Sequence, residues 1–95
     1  LSYSDFGSVD DENTRAPREA AHRLRADPTV DIPVDGEMQA DTALLRDALT
    51  GTYDFAELDD PANVLVFPSL EAGNIAYKLL QHLAGVAVVD AQQEK

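Results

Sequence analysis

Cysteine is absent from this 95-residue chain. Disulfides and thiolate metal sites are thereby excluded, and a reducing, cytoplasmic setting is expected. No apolar run approaches the ~20 residues that a membrane-spanning helix needs. The N-terminus carries no charged-then-apolar targeting segment. Leu1 stands first where an initiator Met would be, which leads us to expect an excised or processed piece. Lysine occurs only at Lys78 and Lys95, and seven basic residues face eighteen acidic ones for a net charge of −11. Such a surface repels both nucleic acid and anionic membranes. No Walker loop, GxGxxG or Ser-His-Asp arrangement is present. His22 and His82 are isolated from any acidic pair at metal spacing and read as surface or packing residues.

What is present is foldable. Apolar residues make up 44% of the chain and recur with clear periods, which a disordered acidic tail would not show. A chain this short buries only roughly 60–65% of its unfolded surface, so it is one domain or part of one, with little margin. Asp outnumbers Glu twelve to six. Concentrated salt screens the resulting self-repulsion within a few ångströms, and we expect a salt-adapted cytoplasm.

Residues 1–4 alternate Leu and Tyr with Ser and read as the end of a strand, followed by an Asp5-Phe6-Gly7-Ser8 turn. Asn13 is a candidate cap for a helix running to about Arg25, and Pro17, which would break a helix interior, places the start near Ala16 with Pro17 in the first turn. Residues 30–34 read as a short strand and Asp35-Gly36 as a turn. Residues 38–49 read as a second helix with Ala40, Leu44, Leu45, Ala48 and Leu49 inward, stopped by Gly51. Residues 52–61 form an acidic loop. A buried strand at 64–67 stops at Pro68, and a third helix begins near Glu71, with Ile75, Ala76, Leu79 and Leu80 at helical spacing. This alternation predicts an α/β fold of three-layer βαβ units with a mostly parallel sheet. Residues 86–89 fit either a fourth strand after Gly85 or a continued helix.

Three places carry candidate chemistry. The Ser4-Asp5-Phe6-Gly7-Ser8 turn lies at a strand's C-terminal end, where backbone N–H groups and hydroxyls can hold a phosphate or carboxylate. An ordinary turn is the simpler reading of those residues alone, and Asp5 would oppose an anion. Asp35, Glu37 and Asp41 are spaced for a metal or acid–base cluster, but carboxylates near a helix N-terminus are explained by its dipole. Asn74 and Lys78 lie one helical turn apart. Contact with an anionic ligand and a surface ion pair with Glu71 both fit Lys78.

In order, LSYSDFGS, VDGEMQADTAL and ANVLVFPSLEAGNIAYKLLQ resemble the phosphate acetyl/butyryltransferase family over most of residues 1–81. The resemblance implies a phosphotransacetylase-like (isocitrate-dehydrogenase-like) fold, of which residues 1–95 would be a single partial domain. Asp5-Phe6 stands where the transferases usually have Thr-Lys, and Asp35-Gly36-Glu37-Met38-Gln39-Ala40-Asp41 where they tend to read DG-x-LQ-x-DAA. The wording is closer to the C-terminal domain of hybrid NADP-dependent malic enzymes. Such a domain would support oligomerisation and sense acetyl-CoA or acetyl phosphate, in a parent that uses NADP and a divalent metal to convert malate to pyruvate. A fragment of a true phosphate acetyltransferase is the alternative. By the same resemblance Ser4, Gly7 and Ser8 match the cleft turn, and Asn74 and Lys78 the helix start beside it. No catalytic residue, metal or cofactor is implied for the piece itself. After Gln81 the family's downstream loop, with its Ser and Arg, is replaced by a segment (83–95) that looks like a displaced C-terminal helix. A homo-oligomer is expected, with neither nucleic acid nor membrane as partner.

Overall fold

The computed structural model describes residues 1–45, 57–58 and 60–88. Three helices are formed among them: α1 (Glu12–Ala26), α2 (Ala40–Leu44) and α3 (Leu70–Ala84). None is long and apolar enough to cross a membrane.

The α1 start differs from the expected one. Asp11, not Asn13, is the cap. Its carboxylate accepts the Thr14 N–H at 3.0 Å while the Thr14 hydroxyl accepts the Asp11 N–H at 2.9 Å, a reciprocal capping box. Pro17 therefore sits inside the helix and leaves the Asn13 carbonyl without its intrahelical donor. Glu12 in the first turn and Arg23 and Arg25 in the last complement the helix dipole.

The second helix is also shorter than its pattern. Leu45 leaves helical geometry (φ −104°, ψ 113°), and its N–H bonds the Asp41 carbonyl. Thr42 and Ala43 face inward, while Leu44 and Leu45 are exposed. Ala48, Leu49 and Gly51 lie outside the described residues.

α3 begins at Leu70 with Ser69 as its cap, the Ser69 hydroxyl accepting the Ala72 N–H at 3.1 Å. It ends at Gly85, whose φ of +68° is the left-handed conformation that closes a helix at little cost for glycine. The helix thus does not continue through Val86. Residues 85–88 form neither helix nor strand, and the rest of the tail lies outside the described residues.

No strand is formed among the described residues. Residues 1–4, 30–34 and 64–67, expected as strands, are joined to their surroundings by isolated backbone bonds instead of a ladder. The Leu1 amino group donates to the Val66 carbonyl at 2.6 Å, and the Ser2 N–H to the Met38 carbonyl at 2.8 Å. These bonds set the first segment between residues 36–38 and 64–67. The small core lies at that junction. Met38 and Ala43 are buried, with Leu1, Phe6, Leu58, Ala62 and Leu65 packed against them. Asp35 ties residues 57–58 to this junction, accepting the Glu57 N–H at 2.7 Å.

Much apolar surface remains uncovered. α3 buries none of its residues, and Leu83 is 82% exposed. The hydrophobic stripe read from the sequence is real, but within the described residues it faces outward.

Replacing Asp11 by Ala should lower stability by about 1 kcal/mol through loss of the cap, and Asn should retain most of it. Urea unfolding of both variants measures the difference.

Candidate functional site

Segment 1–4 delivers the chain into a tight turn closed by the Ser8 N–H on the Asp5 carbonyl at 3.0 Å. Both central residues have positive φ, Phe6 at 47° and Gly7 at 89°. That is the backbone hand of a type I′ turn, easy for glycine and costly for Phe6. Two contacts hold Phe6 there. Its N–H donates to the Glu37 carbonyl at 2.8 Å, and its ring packs against the Met38–Ala43 core.

The turn's donors are already engaged. The Ser4 N–H donates to Ser2 Oγ (3.1 Å), that of Asp5 to Ser8 Oγ (2.9 Å), that of Gly7 to Glu37 Oε2 (3.2 Å) and that of Val9 to Ser4 Oγ (3.0 Å). With Phe6 and Ser8 included, six consecutive amides have partners inside the chain. Ser4 is fully buried, and its hydroxyl also donates to the Val9 carbonyl at 3.1 Å. It works as a fastener across the turn. Gly7 and Ser8 are exposed.

At the centre lies Glu37, with no exposed side-chain surface. Arg18 meets it as a fork, Nε to Oε1 at 2.9 Å and Nη2 to Oε2 at 2.6 Å. The same guanidinium reaches Asp10 Oδ1 at 3.0 Å and the Val9 carbonyl at 2.9 Å. Burial pushes the Glu37 carboxyl up, but the Arg18 guanidinium, the Ser4 hydroxyl and the Gly7 N–H outweigh it, and the group titrates below the usual carboxylate range. Arg18 is raised in turn, chiefly by Glu37 and then by Asp10.

The three carboxylates first grouped as a possible cluster do three separate things. Glu37 pairs with Arg18, Asp35 holds the 57–58 amides, and Asp41 is exposed in the first turn of α2. Among the described residues no three acidic or imidazole side chains are set to hold a metal. His22 and His82 are both exposed.

Asn74 and Lys78 are exposed along α3. The Lys78 ammonium lies 5.1 Å from the centre of the Tyr77 ring, and no ion pair joins it to Glu71 among the described residues. No hydrogen bond links either residue to the turn. The predicted site residues thus form two groups, Ser4–Gly7–Ser8 and Asn74–Lys78. Beside the turn a groove of about 580 Å³ runs between Leu1, Tyr3, Asn13, Ala40, Phe67 and Ser69, and none of the five lines it.

Arg18 escaped the sequence reading. Its signal was its register: Thr14, Arg18 and Ala21 lie at helical spacing, and Thr14 and Ala21 are the residues α1 buries. An arginine within a buried stripe calls for an internal carboxylate.

The model of the phosphate acetyl/butaryl transferase family matches residues 1–90, and the chain belongs to that family. Among its relatives, the phosphate acetyltransferase of Acetivibrio thermocellus is 40% identical over 84 residues, 88% of this chain and 25% of that one. The phosphate acetyltransferase of Staphylococcus epidermidis is 38% identical over 93 residues, 94% of this chain and 28% of that one. In three dimensions the chain is similar to EutD phosphotransacetylase from Staphylococcus aureus, with a TM-score of 0.77 at 36% identity over 95% of this chain and 28% of that one. The chain spans about a quarter of the length of these relatives.

Two outcomes are expected from the buried pair. Arg18→Leu leaves the Glu37 charge without its partner and should cost about 3–5 kcal/mol in urea unfolding, whereas removing both charges with Arg18→Met and Glu37→Met together should cost much less. A carboxyl held low in the folded state stabilises above its unfolded pKa of about 4.3, and that contribution fades as pH falls through the lower folded value. Glu37→Gln should therefore lower stability at pH 7 and flatten its decline between about pH 5 and 3. Asp10, Asp11 and Asp27, also lowered, leave a residual slope of the same sign.

Proposed function

We propose that this chain is one part of an acyl-transfer domain of the phosphate acetyltransferase type. In the whole protein the reaction moves an acetyl group between CoA and phosphate. The thioester C–S bond breaks as a carbonyl-carbon bond to a phosphate oxygen forms, giving acetyl phosphate and CoA. The observation that carries this reading is the family match over residues 1–90, joined to two relatives of that activity at 38–40% identity.

The fold proposed for the whole is α/β with a mostly parallel sheet, residues 1–4, 30–34 and 64–67 supplying strand positions and the remaining chain of the relatives the others. In that setting Ser4, Gly7 and Ser8 on one side and Asn74 and Lys78 on the other are proposed as parts of the wall of an acyl-CoA or acyl-phosphate cleft. The geometry divides their work. Ser4 and the Gly7 amide hold the turn's shape, leaving the exposed Ser8, Asn74 and Lys78 as the groups nearest to hand for ligand. No catalytic residue is assigned to this piece, and a homo-oligomeric, cytoplasmic parent is proposed.

A specific observation favours a second reading, the phosphotransacetylase-like regulatory domain of an NADP-dependent malic enzyme. The two places where the sequence departs from the transferase wording touch each other. Asp5 accepts from the Gln39 N–H at 2.9 Å and from its side-chain amide at 3.3 Å, Phe6 packs on Met38, and Gly7 bonds Glu37. Where the transferases usually carry a Lys, an apolar ring turns into the core.

A coupled assay on the full-length parent, with acetyl phosphate and CoA as substrates and acetyl-CoA as readout, is expected to give sustained turnover. Its absence, with malate-dependent NADP reduction in the same preparation, would replace the first reading by the second.

A further inference from the structure

The surroundings of Glu37 are those of a bound anion more than of a structural acid. A buried carboxylate needs its oxygens satisfied, and here the donors come from separate pieces of chain. Arg18 supplies a guanidinium fork from α1, and Gly7 supplies a backbone N–H from the turn. Ser4, its own hydroxyl donated to the Val9 carbonyl at 3.1 Å, holds the turn that presents the Gly7 amide. A guanidinium fork is the geometry proteins use for carboxylate and phosphate groups. Amides presented by a turn with positive φ form the concave cradle that accompanies such forks. Phe6 and Gly7 have that conformation.

We infer that the Arg18 guanidinium and the Gly7 N–H constitute an oxyanion site, and that Glu37 is its built-in occupant. An external carboxylate or phosphate is shut out of the Ser4–Ser8 turn while Glu37 fills it. The ligand class is thus an oxyanion able to offer two acceptor oxygens to one guanidinium. The acids around the turn fit the same account. Asp10 neutralises the outer edge of the Arg18 guanidinium, so that little positive charge is presented to solvent. The inference concerns the same turn as the acyl-phosphate cleft proposed above but rests on the Glu37 contacts alone.

The test uses the full 95-residue chain with Glu37→Ala, which leaves a space of about the size of acetate. Thermal melts at pH 7 are run in sodium chloride, sodium acetate and sodium phosphate at matched ionic strength. An anion that binds the folded variant with a Kd of about 10 mM shifts its folding equilibrium roughly tenfold at 100 mM. For a chain of this size that corresponds to a Tm rise of about 5–10 °C over chloride. Rescue by acetate alone would define a site for planar carboxylates, and rescue by phosphate would mean that the turn widens to a tetrahedral group. Either outcome supports the site, provided that the wild type and the Arg18→Leu/Glu37→Ala double variant show no such rise. In the rescued variant the Gly7 amide resonance should move on anion addition. A variant unfolded in chloride is still informative, because refolding in acetate or phosphate is then the readout. No rescue by either anion overturns the inference, as does an equal shift of the Gly7 resonance in the wild type. Acyl transfer by the parent is measured separately, so either idea can fail alone.

Discussion

The pairing of Arg18 with Glu37 is the constraint on which the described structure turns. Remove it conceptually and three things lose their reference at once: the register of α1, the hand of the Asp5–Ser8 turn, and the placement of residues 36–39. The guanidinium bonds the turn's exit at Val9 and Asp10 as well as Glu37, while Glu37 returns a bond to Gly7 through its side chain and to Phe6 through its carbonyl. A buried ion pair gains little over an apolar replacement, because desolvation offsets most of the attraction. Its value here is directional. Each fork bond fixes an angle as well as a distance, which a methyl-to-methyl contact does not.

That dependence follows from how little else is buried. Among the described residues Met38, Ala43 and Ala21 are the buried hydrophobics, whereas Ser4, Thr14, Glu37 and Thr42 are buried polar residues. A junction so polar must specify itself through hydrogen bonds, and every described buried side-chain polar atom has a partner. The apolar surface that would ordinarily supply stability lies instead along 64–67 and α3. Between residues 61 and 88 the only formal charges are Glu71 and Lys78, so the excess of acid is carried elsewhere in the chain. Apolar, nearly uncharged and exposed is the character of a surface meant to be covered.

Legibility in the sequence followed the range of the interaction. α3 is readable from its stripe at helical spacing, a local signal, whereas the Ser69 cap goes unread and the stop at Gly85 stays open between a cap and a continued helix until the backbone shows it. Reading Pro17 as a breaker puts the α1 start near Ala16, four residues late, because the Asp11–Thr14 box, also local, outweighs it. The shortening of α2 was not readable, since Leu44 and Leu45 keep helical spacing and only the backbone at Leu45 departs. The strands expected at 1–4, 30–34 and 64–67 need ladder partners, and a pattern of apolar residues does not say whether partners are present. Glu37 was read as one carboxylate among many at a helix start. Only the 19-residue separation from Arg18, closed in three dimensions, reveals that it is spent internally.

The same pair bears on how family membership should be weighed for this chain. Membership rests on stretches spread from residue 1 to residue 90, but the stretches do not contribute alike to chemistry. Asp5, Phe6, Glu37, Met38 and Gln39 are tied together by backbone bonds, an amide–carboxylate contact and core packing. A substitution at one of these positions alters the fit of the others, so they must change as a set. In this turn the amides of residues 4–9 are all satisfied and the Phe6 ring packs against the core, so its donors are committed to its own shape. In the cleft proposed above, the Ser8 hydroxyl is likewise held within the turn, accepting the Asp5 N–H at 2.9 Å, and positive charge would come from Lys78 on a different element. Catalysis by such a cleft would depend on residues from the three quarters of the relatives' length that this chain does not span.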